Sequence, residues 1–393
     1  GRHQARNTDR RSDVILARRH RANQAVLSGG SFPDTLTTAR HCRGDFGLAM
    51  ADITVRGAGI FGLSIAWVLT QRGARVQVID PNGAGSGSSG GLVGALAPHV
   101  PENWNDKKAF QLESLLMAEA FWTDVKAAGG VDPGYARTGR LQPIADDHAL
   151  HLARARSDGA RVLWRGHAIW ELVAVEEAGA FAPPSPVGFL IRDTLTARLH
   201  PKRACAAVVA ALAAHGVEVV RDAPDQGAVI WATGWQGLLA LSEAVGKPIG
   251  TGIKGQSAAF AHDASDAPQV FVDGLHIVPH ADGTVAVGST SEREFDDPKI
   301  IDAQCDDLIA RAIAAMPVLG HAPVVDRWAG VRPRARSRAP MLGPWPDRDR
   351  HFIANGGFKI GFGMAPKVAH VMADLILEGT DTIPEGFRVS ASM

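Results

Sequence analysis

At 393 residues the chain exceeds what one small hydrophobic core can hold together, and it suits two domains or one large α/β domain carrying an inserted module. Hydrophobic residues make up 46% and charged residues 21%, which excludes a fibrous or largely disordered chain. Lys and Arg number 41, as do Asp and Glu, so no net field gathers nucleic acid or an anionic membrane surface; small-molecule chemistry is the expectation.

The three cysteines, Cys42, Cys205 and Cys305, include no CxxC pair, which argues against a disulfide framework or a cysteine zinc site and fits a reducing cytoplasm. The fifteen histidines show no HExxH or similar ligand spacing, so no metal is expected. No stretch reaches the ~18 apolar residues of a spanning helix, so no membrane partner is expected either.

The first forty-nine residues hold nine Arg, four Asp and neither Lys nor Glu. They lack sustained apolar periodicity, and Arg10-Arg11 is not followed by the apolar stretch of an export signal. A disordered or misassigned extension over 1–49 is expected, with a natural start at Met50.

Ile53, Thr54 and Val55 read as a short buried strand, followed by Gly57-Ala58-Gly59-Ile60-Phe61-Gly62 and the mostly apolar run Leu63 to Leu69. That is strand, glycine turn and helix. Gly57 permits the tight turn, Gly59 lets the backbone approach a pyrophosphate, and Gly62 lets the helix pack on the strand. The helix N-terminus, at Ile60 and Phe61, then faces the phosphates. Gly73 closes the helix, and Arg75 to Asp80 alternates like a second strand before the Pro81-Asn82-Gly83 turn. Asp80 stands where an acid takes ribose hydroxyls. The unit marks a dinucleotide site without separating NAD from FAD.

Three later segments point to FAD, whose isoalloxazine end must be reached by chain remote from the first strand and helix. Gly83 to Gly94 places small residues, among them Ser88, Ser89, Gly90 and Leu92, where amides and hydroxyls meet the pyrophosphate and ribityl chain. Gly227 to Trp231 is a buried strand ending in Ala232-Thr233-Gly234. Phe352 to Asn355 is another, entering the second glycine turn from Gly356 through Gly357, Phe358, Lys359, Ile360 and Gly361 to Gly363. Val368, Val371, Met372, Leu375 and Ile376 then recur at helical spacing toward Gly379. The positive end of that helix suits negative charge on the N1 and C2 carbonyl of a reduced flavin.

Taken together, ITVRGAGIFGLSIAWVLTQRGARVQVID, SSGGLVGALAP, LHPKRACAAVVAAL, VIWATGW, IKGQ, IVPHADGTVAVGST, WAGVRPRARSRAPMLGP and IANGGFKIGFGMAP occur in an order that resembles the D-amino-acid oxidase superfamily. The glycine oxidase and sarcosine oxidase-like branch is the nearest in pattern, and the resemblance runs from Ala51 to Gly379. It implies an α/β fold: a glutathione-reductase-type Rossmann domain for FAD over 50–134, 197–244 and 336–385, with a mixed-sheet α+β substrate domain over 135–196 and 245–335 and a tail at 386–393. The chain departs from the family in four places. The β-meander between Val220 and Gly227 is nearly absent, the lone Tyr135 falls outside the family's pocket positions, and His276 stands where relatives often place a tyrosine. Lys359 replaces an arginine of the glycine oxidase turn.

The resemblance also implies a reaction in which a hydride leaves the substrate α-carbon for flavin N5 and water hydrolyses the resulting imine. Oxygen is the expected acceptor, giving peroxide; a quinone or carrier acceptor, and a wobble-uridine tRNA-modifying activity, are the alternatives. A homo-oligomer is compatible with this reading. Arg332, in WAGVRP, matches the family's carboxylate-binding arginine, and Pro333 holds it extended. Lys359 and His276 complete the candidate catalytic group; His280 reads as structural, Lys254 as a pocket-edge residue, and Arg334, Arg336 and Arg338 as surface ion-pair residues.

Overall fold

The computed structural model describes residues 51–393; the expectations for 1–49, Met50 and Cys42 lie outside the described residues. In chain order the elements are β1 (Ile53–Arg56), α1 (Ile60–Gln71), β2 (Val76–Ile79), β3 (Ala95–Leu96), α2 (Asp106–Gly129), β4 (Arg140–Pro143), α3 (Asp147–Leu163), β5 (Trp170–Ala174), β6 (Phe189–Asp193), β7 (Ala197–Arg198), α4 (Pro201–Ala214) and β8 (Val219–Val220). There follow β9 (Ala228–Trp231), α5 (Gly234–Ala244), β10 (Gly250–Ala261), β11 (Gln269–Val272), β12 (Leu275–Pro279), β13 (Thr284–Gly288), α6 (Ala303–Ala315), β14 (Val324–Ala335), β15 (Met341–Pro344), β16 (His351–Asn355) and α7 (Gly361–Glu378).

Two sheets organise the chain. The first has the order β15-β16-β9-β1-β2-β8 and is parallel except where β15 meets β16. Ile53 and Val55 of β1 and Val76 and Val78 of β2 face the helical core, while Thr54, Arg56 and Gln77 on the other face hydrogen-bond to the segment 223–226. α1 is buried from Ile60 through Leu69, as an apolar-all-round helix must be. It packs on α7 and α4, with α2 against α7, closing the larger hydrophobic core. No strand stands between Val220 and Ala228.

The second sheet has the order β14-β10-β13-β12-β11-β4-β6-β5, antiparallel except between β11 and β4. α6 covers one face through Cys305, Leu308 and Ala312, whose helical spacing presents one apolar stripe to Phe260, Val285 and Val287. Its start is capped by Asp302, which accepts from the Gln304 amide at 3.0 Å. α5, leaving β9 of the first sheet, packs on both β10 and β14 of the second. α7 begins at Gly361, so Gly363, expected in the turn, lies inside the helix.

Candidate active site

β16, β9, β1 and β2 lie side by side and parallel, so their carboxyl ends emerge together, the place where open α/β sheets bind ligands. A cleft of about 680 Å³ opens there, walled on the other side by Trp328, Gly330, Val331 and Pro333 of β14. Gly57, Gly59, Ile60, Phe61, Asp80, Ser88, Ser89, Ala232, Thr233, Gly234, Gly357, Phe358 and Gly361 line it. Gly57 adopts φ +103°, and a Cβ there would sit 2.3 Å from the Ala232 carbonyl oxygen, so any side chain would close the approach between β1 and β9. Asp80 faces the cleft with its carboxylate already accepting from the Ala58 amide at 2.8 Å and the Asn82 amide at 2.9 Å. The Ser89 hydroxyl accepts from the Ile60 amide at 2.9 Å, tying the second glycine segment to the first turn of α1.

Five sequence-expected cofactor residues do not line the cleft. Gly62 turns inward against the Gly57 carbonyl and Gly90 against the Gly85 carbonyl. Leu92 is buried with Ala259 and Ala286, and its carbonyl accepts from His280 Nε2 at 2.9 Å. Ile360 forms the N-cap of α7, and Lys359 precedes it. The cleft has the glycine cradle and the acid that a dinucleotide requires.

Beyond Phe358 lies a second constellation. Arg332, 9% exposed, donates through Nη2 to the Thr290 carbonyl at 2.7 Å and the Lys254 carbonyl at 3.2 Å, and through Nη1 to the Ser289 hydroxyl. Its guanidinium lies over Gly255 of the neighbouring strand, where a Cβ would fall 2.3 Å from Nη2. Nε has no partner among the described residues. Burial lowers the guanidinium to about 10, opposed by Glu292, so it remains charged at neutral pH. The Phe358 amide donates to the Pro333 carbonyl at 3.0 Å, fastening the glycine turn to β14.

Around the Phe358 ring stand three cations: Arg332 at 5.5 Å from the centroid, Arg334 at 5.7 Å and Lys359 at 5.9 Å. Lys359 reaches solvent, yet the protein around it depresses its ammonium below the ordinary lysine range, with Arg332 adding to the effect. His276, on β12, packs against Phe271 at 4.7 Å; burial, then Arg140 and Lys359, push its imidazole down to about 3. It is therefore neutral at pH 7. His280 is likewise lowered to about 4, chiefly by burial, and lies 4.9 Å from His200.

Arg332, Lys359 and His276 are thus brought to one region, and Arg334 joins them. The reading of Arg334, Arg336 and Arg338 as surface ion-pair residues is corrected: among the described residues none has an Asp or Glu carboxylate within 4.0 Å, and Arg336 Nη1 instead donates to the Met393 main-chain oxygen at 3.4 Å. Lys254, expected at a pocket edge, is 3% exposed and pairs with Glu292 at 3.2 Å and Asp302 at 3.5 Å. Sequence reasoning missed Arg140, Gly255, Ser289, Thr290 and Glu292. The GST run and the acid after it were visible, but nothing in one dimension set them beside Arg332.

The model of the FAD dependent oxidoreductase family matches residues 52–375. Glycine oxidase of Pseudomonas aeruginosa is 28% identical over 364 residues, covering 82% of this chain and 94% of its own. The crystal structure of glycine oxidase from Geobacillus kaustophilus superposes with a TM-score of 0.73 at 20% identity, covering 86% of this chain and 98% of that one. Iminodiacetate oxidase from a Chelativorans species superposes at 0.75 and 20% identity, with the same coverage. With a cleft whose glycine turns and acid fit the adenine dinucleotide, the chain belongs to the FAD-dependent oxidoreductase family, an α/β flavoenzyme whose cofactor is FAD.

Proposed function

We propose that the protein oxidises a small amino acid or secondary amine whose carboxylate is held by Arg332. The observation that carries this reading is a buried, charged guanidinium that among the described residues contacts only neutral oxygens and keeps an unpartnered Nε. A buried charge in that state is costly, and a substrate carboxylate would offset the cost through charge-assisted hydrogen bonds. The relatives named glycine oxidase and iminodiacetate oxidase are named for carboxylate-bearing amines, which supports the same class.

FAD, when bound, supplies a two-electron acceptor for a hydride. The cleft-lining glycines, Asp80, Ser88, Ser89 and the Ala232-Thr233-Gly234 turn are assigned to its grip, within the segments 50–134, 197–244 and 336–385. Arg332 fixes the substrate carboxylate and so presents the α-carbon in one orientation, replacing a search in solution by a held geometry. The substrate loses a hydride from that carbon and a proton from nitrogen; water then adds to the imine, and keto acid and ammonia or amine separate. His276, neutral at pH 7, offers a hydrogen-bonding ring nitrogen there and does not act as a charged acid or as the proton acceptor. Dioxygen is the proposed terminal acceptor, taking two electrons and two protons to become hydrogen peroxide, in the cytoplasm.

Anaerobic mixing of the yellow holoenzyme with glycine, sarcosine, proline and D-amino acids tests the reading. Loss of the flavin absorbance with one of them supports it, and an unbleached flavin across the whole amine panel overturns it. Admitting air and assaying peroxide then decides the acceptor.

A further inference from the structure

The cations around Phe358 are graded in exposure: Arg332 is buried, Arg334 partly buried and Lys359 open to solvent. One ring lies within 6 Å of all three, and its electron-rich faces compensate only part of their charge. Among the described residues none of the three is in an ion pair, although the chain elsewhere matches buried arginine with acid, as Arg140 with Asp193 at 2.9 Å. Glu292, the acid nearest in the network, is committed to Lys254. His276 brings no charge of its own at neutral pH.

A zwitterionic monocarboxylate adds one negative and one positive charge, so it answers Arg332 and leaves the outer pair of cations unmatched. A substrate with a second carboxylate answers both ends. We propose that this cluster of cations selects amino acids bearing two carboxylates, the first on the buried Arg332 and the second on the more exposed Lys359 and Arg334. The proposal rests on the amine-oxidation reading and names its substrate class. Phe358 carries the ring that all three cations share, on a turn whose main chain is tied to Pro333.

The test uses FAD-loaded enzyme and ligands that cannot be oxidised. Flavin absorbance is titrated with acetate and with malonate or succinate, in the wild type and in Lys359→Met, with Lys359→Arg as the charge-keeping control. The dicarboxylate is expected to bind about tenfold or more tightly than acetate, the size of one charge-assisted hydrogen bond, and the ratio is expected to collapse in Lys359→Met and survive in Lys359→Arg. Equal affinity for mono- and dicarboxylates in the wild type would overturn the proposal. So would an unchanged ratio in Lys359→Met accompanied by a shifted flavin spectrum, which would assign Lys359 to the cofactor. Anaerobic bleaching by iminodiacetate and D-aspartate against glycine supplies the second arm. Tight malonate binding with no bleaching by any amine would leave the two-carboxylate site standing and remove the amine-oxidation reading alone.

Discussion

Arg332 concentrates the chemistry that one side chain contributes. Its two terminal nitrogens are held by oxygens of Ser289, Thr290 and Lys254, so the head is oriented before any ligand arrives. Arg332→Met keeps the stem and removes the fork; kcat/KM for carboxylate substrates is expected to fall by about 100-fold or more while bound-flavin absorbance persists. Steady-state kinetics on the holoenzyme checks this. The histidines make a pH prediction. His276 and His280 are driven to about 3 and about 4 by burial, below the ordinary 6.5, so the unfolded chain takes up protons first as pH falls. Their contribution to stability is complete above pH 6.5 and declines below it, with a limiting slope of about 1.4 kcal/mol per pH unit for each ring. Urea unfolding at pH 8, 6 and 5 should show the decline, and His276→Asn should remove about half of it, leaving the share of His280.

At the scale of elements, β10 and β14 act as a matched pair. Gly255 leaves the space in which the Arg332 head lies, and its neighbours Lys254 and Gln256, on the opposite face, join Glu292 and Asp302. Gly255→Ala should leave the sheet intact and displace the guanidinium, so KM is expected to rise severalfold with only a small loss of Tm. A large drop in Tm with unchanged KM would show that the strand, not the arginine, needs the glycine. Glu292→Gln leaves Lys254 buried with only Asp302 to answer it and should destabilise by about 3 kcal/mol, measured by denaturant unfolding. Much at this scale was legible in one dimension. The first strand–turn–helix unit, the Ala232-Thr233-Gly234 turn and the helix ending at Gly379 follow from glycine placement and apolar periodicity, both local signals. The start of α7 at Gly361 was not legible, because Gly361, Gly363 and Pro366 are all poor helix formers, and packing against α1 and α2 overrides their propensities.

For the whole molecule, FAD is part of the stability. Gly57 sits where β1 and β9 approach, and Gly57→Ala combines an unfavourable φ with a Cβ 2.3 Å from a backbone oxygen. The expected product is a colourless protein with lowered Tm that excess FAD does not rescue. The wild type stripped of FAD should regain about 2.7 kcal/mol when the cofactor is restored at a hundred times its Kd. Differential scanning fluorimetry across an FAD series checks both. The sequence by itself determined the dinucleotide turn, the acid at its second strand and the membership of a flavoenzyme family, since these depend on neighbours a few residues apart and on motif order. Only the tertiary structure decided which charges meet. Register between β10 and β14 laid Arg332 on Gly255, and the Phe358 turn brought Lys359 and Arg334 to the same ring, while the ion-pair reading of Arg334 failed because no Asp or Glu carboxylate stands within 4.0 Å of it among the described residues. Electrostatic partners are chosen by distance in space, and strand register and turn geometry set that distance.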